Sequence, residues 1–168
     1  MASYKFNKQD SLSFLKDSKI AVIVAYFYKD IGDNLLSSAL DTIDRYGVDS
    51  DNVNIFYVPG AFEIPLMAKK LAQQTTNGSN VYDGIITLGA VIQGETPHFD
   101  YVCNECSRGV ADVSNNYEIP VAFGVLTTNN MEQTLNRSGG NKGNKGEEAA
   151  MAMIEMLYLI DKADTQIF

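Results

Sequence analysis

The sequence predicts an α/β fold, a three-layer αβα sandwich in which helices flank a four-stranded, mainly parallel sheet. Short apolar runs alternate four times with segments of helical periodicity, which is typical of strand–helix units built around one sheet. The runs are rich in β-branched residues and lack polar alternation, as strands buried on both faces do. A length of 168 residues, 45% of them apolar, suits one domain and is short for two.

The first strand and helix follow a polar N-terminal segment. Residues 1–18 show no clear period, and we expect them to form an arm that precedes a single domain over 19–168. Six consecutive apolar residues at 20–25 predict a strand buried on both faces. Apolar residues recur on one helical face over 31–43, and Gly47 is expected to end that helix.

The middle of the chain continues the alternation. Residues 53–58 predict the second strand, which a Pro-Gly pair ends. A helix is predicted over 61–74, where a proline is tolerated in the first turn. A polar loop over 73–80 leads to the third strand at 84–88, and a helix over 99–115 follows.

The last part of the chain predicts a fourth strand at 120–126 and a short helix at 131–137. The glycine-rich stretch over 138–146 lacks the lysine spacing of a P-loop, so its spacing indicates a flexible connector. The final helix, over 147–160, is apolar around almost its whole circumference. Such a helix must be buried on most sides, and in a chain of this size a subunit interface is the natural place for it.

Charge and hydropathy exclude two classes of partner. The formal net charge is −8, and the arginines are Arg45, Arg108 and Arg137. Nucleic acids and anionic membrane surfaces both need a basic footprint, so neither is expected as a partner. No apolar run is long enough to span a membrane, and the N-terminal segment lacks the apolar core of a signal peptide. These features predict a cytoplasmic protein.

Cys103 and Cys106 form the one CxxC motif in the chain, which also contains a single histidine. A structural zinc site needs four ligands, so the sequence predicts no metal site. A redox dithiol normally begins a helix after a strand, whereas this pair lies inside a predicted helix. We therefore interpret both cysteines as ordinary reduced thiols.

Residues 89–102, GAVIQGETPHFDYV, are the strongest candidate for a functional segment. They follow the third strand, and in parallel α/β sheets ligands bind beyond the carboxyl ends of the strands. Gly94 permits close backbone approach, and backbone amides together with the Thr96 hydroxyl are suited to hold an anion where the next helix begins. His98 can transfer protons near neutral pH, although capping the helix is an alternative role.

Two other positions are open to two interpretations. The aromatic triplet Tyr26-Phe27-Tyr28 follows the first strand, and it suits either the core or a stacking platform for a planar ligand. Glu63 lies near the start of the second helix, where favourable interaction with the helix dipole would by itself explain a carboxylate.

Five blocks resemble the lumazine synthase family, in the family's order and over residues 20–157. They are VPGAFEIP at 58–65, GAVIQGETPHFDYV at 89–102, PVAFGVLTT at 120–128, EQTLNRSGGNKGNKGEEAA at 132–150 and EM at 155–156. The resemblance implies a reaction between two small-molecule substrates, 5-amino-6-ribitylamino-uracil and 3,4-dihydroxy-2-butanone 4-phosphate. The product is 6,7-dimethyl-8-ribityllumazine, and phosphate and water are released without a cofactor. This is the penultimate step of riboflavin biosynthesis.

The resemblance also implies roles for residues in three groups. Phe27 matches the aromatic that stacks on the pyrimidine, and His98 matches the proton-transfer residue. The remaining residues implied for the pyrimidine and ribityl chain are Ala61, Phe62, Glu63, Val91 and Ile92. Those implied for the phosphate loop are Gly94, Glu95 and Thr96.

Three further residues match positions that an adjacent subunit contributes: Phe123, Arg137, which contacts phosphate, and Lys145, which lies near the pyrimidine. The resemblance thus implies a homo-oligomer built from pentamers. Arg137 and Lys145 are eight positions apart, as in family members that close into icosahedral shells of 60 subunits, and we expect such a shell. Riboflavin synthase is a candidate partner.

The chain departs from the family's pattern at Gln93, where the family usually has arginine, and at Tyr28, where it usually has asparagine. We expect both to alter substrate affinity and neither to remove activity. Two alternatives are an archaeal-type riboflavin synthase and a shell or scaffold protein that binds a flavin-like ligand without turnover.

Overall fold

Strand β1 (Ile20–Ala25) lies in the middle of the protein, and all six of its residues are buried. The computed structural model describes residues 13–165. Ile20, Val22 and Val24 belong to one apolar cluster, and the alternate residues of the strand belong to the other. Because successive side chains of a strand point to opposite faces, β1 contributes to two cores at once.

The other elements follow in the predicted order of strand and helix. They are α1 (Lys29–Arg45), β2 (Val53–Val58), α2 (Ile64–Ala72), β3 (Thr75–Thr76), β4 (Ser79–Asn80), β5 (Gly84–Ile92), α3 (His98–Tyr117), β6 (Val121–Thr128), α4 (Met131–Arg137), β7 (Ser138–Gly140), β8 (Gly143–Asn144) and α5 (Lys145–Thr165).

The main sheet has four parallel strands in the order β2-β1-β5-β6. Helices α1 and α5 cover one face, where Leu35 and Met153 are fully buried. Helices α2 and α3 cover the other face, where Ile64 and Cys106 are fully buried. The predicted αβα sandwich with a four-stranded parallel sheet is confirmed.

Several boundaries differ from the prediction. Strands β1 and β2 and helix α4 have the predicted limits, but β5 continues through Ile92 and β6 through Thr128. The predicted second helix begins instead with a 3₁₀ turn at Ala61–Glu63. The loop predicted over 73–80 contains the small antiparallel hairpin β3-β4.

The prediction of a flexible connector over 138–146 is wrong. Strands β7 and β8 pair there as an antiparallel hairpin, and α5 begins directly after it. The Asn144 side chain secures this junction: its amide donates to the Asn34 carbonyl (3.1 Å), and its Oδ1 accepts from the Gly146 amide (2.8 Å). The amide of Lys142 donates to the carbonyl of Asn136 (2.9 Å).

Most of the predicted N-terminal arm, residues 1–12, lies outside the described part of the chain. Ser13–Asp17 form a 3₁₀ helix, and Leu15 is fully buried among the residues that pack under α1 and α5. Ser18 donates from its hydroxyl to the Phe14 carbonyl (3.3 Å). The last six residues of the predicted arm are therefore attached to the domain.

Helix α5 is longer than predicted and asymmetric in its burial. Seven residues, from Gly146 to Tyr158, are buried against the sheet and α1. Met156, Leu159 and Ile160 are apolar and exposed on the remaining surface of the helix. Across residues 13–165, no helix is both long enough and apolar enough to cross a membrane.

The contact between α5 and α1 depends on glycine at position 146. A Cβ atom built at Gly146 would lie 2.0 Å from the Leu35 carbonyl oxygen, a backbone atom that cannot rotate away. We expect Gly146→Ala to lower the free energy of unfolding by about 1–3 kcal/mol or more, because the two helices must separate to admit a methyl group. Differential scanning calorimetry should show a lower Tm.

Gly94→Ala is the matched control, because a Cβ there meets no atom within 4 Å and the backbone has no positive φ. That variant should keep or slightly raise the Tm. Equal Tm values for Gly146→Ala and the unaltered protein would contradict the assigned packing.

Candidate active site

A cavity of about 470 Å³ opens at the carboxyl ends of the parallel strands. Its walls come from segments that follow three neighbouring strands, β1, β2 and β5. The lining residues are Phe27, Tyr28, Gly60, Ala61, Phe62, Glu63, Ala90, Val91, Ile92, Gly94, Thr96, His98, Phe99 and Val102. Nine residues predicted for the site are thereby brought to one place.

Phe27 presents an open aromatic face. The Tyr26 amide donates to the Val58 carbonyl (3.0 Å), and the Tyr28 carbonyl accepts from the Gly32 amide (2.9 Å) as α1 begins. Phe27 lies in the turn between these two anchors, and 74% of its surface is exposed. Phe27 is therefore not a core residue, and its role as a stacking platform stays a prediction.

The second wall follows β2, where the chain turns at Gly60 into the 3₁₀ turn. The Glu63 amide donates to the Gly60 carbonyl (3.3 Å), and the Glu63 carboxylate lies against Gly60: a Cβ there would be 3.2 Å from Oε2. Glu63 occupies the N-cap position of α2 but makes no side-chain cap hydrogen bond. Its carboxylate is exposed at the cavity and can accept hydrogen bonds from a ligand.

The loop that precedes α3 forms a third wall. The Gln93 amide donates to the Thr128 carbonyl (2.9 Å), which fixes the start of the loop beside β6. Neither steric contact nor backbone conformation requires glycine at position 94. Gly94 lines the cavity, where the absence of a side chain leaves room for a ligand. Thr96 lines the cavity as well, whereas Glu95 is exposed and lies outside its lining.

His98 is the first residue of α3, a helix of 20 residues. Pro97 occupies the N-cap position, so His98 does not have the capping role considered as its alternative. The imidazole is exposed, lines the cavity, and makes no hydrogen bond to any residue in the range 13–165. Both ring nitrogens are therefore open to a ligand or to water.

Phe123, Arg137 and Lys145 lie outside this cavity. Phe123 is half-buried on β6 and packs against the core beneath α2 and α3. Arg137 ends α4 and is exposed; its Nη1 donates to the Gln133 carbonyl (3.2 Å). Lys145 begins α5, and its Nζ lies 2.8 Å from Glu148 Oε2. Within one chain, these three residues therefore do not join the nine predicted residues that line the cavity.

Four lining residues were missed by the sequence analysis: Gly60, Ala90, Phe99 and Val102. The weak signal for the last two was their spacing of three in a helix, which places Phe99 and Val102 on one face. Ala90 and Ile92 are separated by two positions in a strand and therefore share a face of β5. Gly60 carried no signal beyond a turn.

The cysteines lie on α3 away from the cavity lining. Cys106 is fully buried, and burial raises the pKa of its thiol to about 12. Burial and, to a lesser extent, Asp100 also raise the pKa of Cys103. Because the thiolate is the reactive species, both groups are poor nucleophiles and poor redox centres. In the described part of the chain, no cluster of three or more His, Cys, Asp and Glu side chains is arranged to hold a metal ion.

Comparison with known proteins gives a consistent result. A family model described as 6,7-dimethyl-8-ribityllumazine synthase matches residues 17–161. A protein of that name from Ruthia magnifica subsp. Calyptogena magnifica is 66% identical over 165 residues, which cover 98% of this chain and 99% of the relative. A protein of the same name from Vesicomyosocius okutanii subsp. Calyptogena okutanii (strain HA) is 65% identical, with the same coverage.

Proposed function

The chain belongs to the 6,7-dimethyl-8-ribityllumazine synthase family, and we propose that the cavity at the carboxyl ends of β1, β2 and β5 is where it carries out the family's reaction. The enzyme is a transferase of riboflavin biosynthesis. It condenses 5-amino-6-ribitylamino-uracil with 3,4-dihydroxy-2-butanone 4-phosphate and releases phosphate and water. The comparisons favour neither the archaeal-type riboflavin synthase nor the non-catalytic scaffold.

The observation that carries the site assignment is the convergence of nine predicted residues on one cavity of about 470 Å³. That volume lies within the usual range for pockets that hold small molecules, roughly 300–1,000 Å³. The exposed ring of Phe27 is suited to stack on the pyrimidine. Ala61, Phe62 and Glu63 supply backbone and carboxylate groups for the ribityl hydroxyls, while Val91 and Ile92 form the apolar wall.

The opposite end of the cavity suits the phosphate substrate. Gly94 and Thr96 lie directly before a helix of 20 residues, and the amino end of a helix carries a partial positive charge. Glu95 was predicted with this group, but a carboxylate beside phosphate would repel it. Its position outside the cavity lining therefore supports a backbone role only.

His98 is placed to transfer protons between the two substrates. It lies at the same end of the cavity as the phosphate loop, and its nitrogens are open. The reaction consists of an imine condensation, a phosphate elimination and a ring closure, so holding the substrates together supplies much of the acceleration. One acid–base group is then sufficient, and no cofactor is needed.

Electrostatics indicates that one chain is not a complete site. Among residues 13–165, neither lysine nor arginine lines the cavity, and Glu63 contributes a negative charge. An arginine strengthens the binding of a phosphate monoester by charge-assisted hydrogen bonds, and Arg137 is an arginine without a carboxylate partner among residues 13–165. We infer that a neighbouring subunit supplies Arg137, together with Phe123 and Lys145.

Exposed apolar side chains support such an assembly. Tyr101 and Leu66 are 68% and 65% exposed on the helices beside the cavity, and Leu135 is exposed on α4 next to Arg137. Exposed apolar side chains mark interaction surfaces where they form a contiguous patch, and a subunit interface would bury these three. We propose a pentamer as the building block and a shell of twelve pentamers as the complete particle. Cytoplasmic residence and association with riboflavin synthase stay predictions of the sequence.

Replacing His98 by alanine tests the proton-transfer role. We expect His98→Ala to lower kcat clearly without abolishing turnover, because substrate positioning is unaffected. Product formation is followed by the absorbance of the lumazine after both substrates are mixed with purified protein. Complete loss of activity in a correctly assembled variant would mean that His98 contributes more than proton transfer.

Replacing Arg137 tests the phosphate contact. Loss of a charge-assisted bidentate pair should raise the KM for the butanone phosphate by about 10- to 100-fold in Arg137→Ala and leave that for the pyrimidine nearly unchanged. Arg108→Ala is the matched control, because Arg108 pairs with Glu105 and Asp112 on α3, away from the cavity. Equal KM values in the two variants would exclude the assignment.

Co-expression of His98→Ala with Arg137→Ala shows whether the two residues belong to different subunits. In a shared site, about one site in four of a randomly mixed ring combines both native residues, and activity recovers. A site built within one chain has no such combination, so no recovery is expected from it.

Light scattering at neutral pH measures the assembly. A particle of megadalton mass supports the 60-subunit shell, and a mass near five times 18.5 kDa supports the pentamer alone. An active particle of 18.5 kDa would contradict both, and with them the shared site.

A further inference from the structure

We propose that Tyr28 is a positioning residue for the pyrimidine half of the site: its edge-to-face contact with Phe27 holds the ring against which the pyrimidine stacks. The inference rests on the proposed function, since it assigns a role within that reaction. Tyr28 lines the cavity together with Phe27.

Most of the Phe27 side chain lies outside the core. It is 74% exposed, so the core fixes neither its position nor its plane. Its one aromatic contact within residues 13–165 is with Tyr28, at a centroid distance of 5.0 Å and an interplanar angle of 76°. Edge-to-face geometry of this kind is favourable because the positive ring edge meets the negative ring face. Whichever ring supplies the edge, Tyr28 covers at most one face of Phe27 and leaves another face for stacking.

Tyr28 itself is held firmly. Its carbonyl accepts the first backbone hydrogen bond of α1, from the Gly32 amide at 2.9 Å. Its ring is half-buried and packs against the apolar cluster beneath α1 and α5. A ring that is anchored in the core on one side and touches Phe27 on the other transmits the rigidity of the core to the exposed platform.

The hydroxyl of Tyr28 offers a separable contribution. It makes no hydrogen bond to the described residues, and no side-chain oxygen among them is both buried and unpaired. The hydroxyl is therefore accessible, and it can contact a ligand directly. Comparing a variant that lacks only the hydroxyl with one that lacks the whole ring distinguishes direct contact with the ligand from positioning of Phe27.

The test compares Tyr28→Leu with Tyr28→Phe in steady-state assays of both substrates. Tyr28→Leu should raise the KM for the pyrimidine by about three- to tenfold, which corresponds to losing the interaction free energy of one aromatic pair. It should change kcat and the KM for the butanone phosphate by less than about twofold. Tyr28→Phe keeps the ring and should raise the KM for the pyrimidine by less than Tyr28→Leu does. If Tyr28→Phe loses as much as Tyr28→Leu, the hydroxyl rather than the ring acts, and the proposal is overturned.

A double-mutant cycle tests whether Tyr28 acts through Phe27. In a Phe27→Leu background, Tyr28→Leu should have no further effect on the KM for the pyrimidine, because the platform is already gone. Additive losses would overturn the positioning role. An unchanged pyrimidine KM in Tyr28→Leu, or an equal rise for both substrates, would also overturn it.

Two controls keep the result interpretable. Calorimetry and light scattering show whether each variant folds and assembles. If Tyr28→Leu does not, Tyr28→Ile replaces it. The same results are then expected, and the same results would overturn the proposal. The unaltered enzyme is assayed in parallel. If it forms no lumazine, the proposed function fails, whereas normal turnover with an unaffected Tyr28→Leu rejects only the role of Tyr28.

Discussion

Parallel pairing of β1 with β2 and β5 is the constraint on which the site depends. In this register the last residues of β1 and β2, Ala25 and Val58, lie side by side, and β5 runs parallel to them and continues beyond Leu88, so the carboxyl ends of all three strands are at the same edge of the sheet. The turns that follow them must then meet above that edge. A different group follows each strand there: the exposed ring of Phe27, the carboxylate of Glu63, and the loop that leads to His98. The sheet topology therefore determines where the cavity lies, and the side chains only line it.

Much of this topology could be predicted because burial on both faces leaves a strong signal. The run at 20–25 has no polar residue, and its predicted limits match β1. Hairpins β3-β4 and β7-β8 gave no signal, because strands of two or three residues are too short for periodicity. Strand β6 continues to the buried Thr128, whose hydroxyl lies 2.6 Å from that of Thr134. Sequence patterns treat such a threonine as polar and cannot show that its partner is close in space.

The site could be predicted in part, and the limits have physical causes. His98, Gly94 and Thr96 belong to one continuous segment, so their proximity follows from the chain itself. Phe27 was ambiguous because local backbone hydrogen bonds, which a sequence does not display, decide how far each of the three aromatics is exposed. Ala90 and Phe99 line the cavity through strand and helix geometry rather than through polar chemistry. Their identity as apolar residues gave no reason to select them.

The division of the proposed site between subunits follows from the order of the strands. Both β2 and β6 are edge strands of the sheet, and the cavity spans β2, β1 and β5. Arg137 ends α4, the helix that follows the edge strand β6 in the chain and contacts it. In a ring built by head-to-tail contacts, one side of each subunit meets the opposite side of its neighbour. Such a ring can place the arginine of one subunit beside the phosphate loop of the next. We propose that this cavity, which residues 13–165 line with a carboxylate and with neither lysine nor arginine, holds phosphate only when the ring has formed.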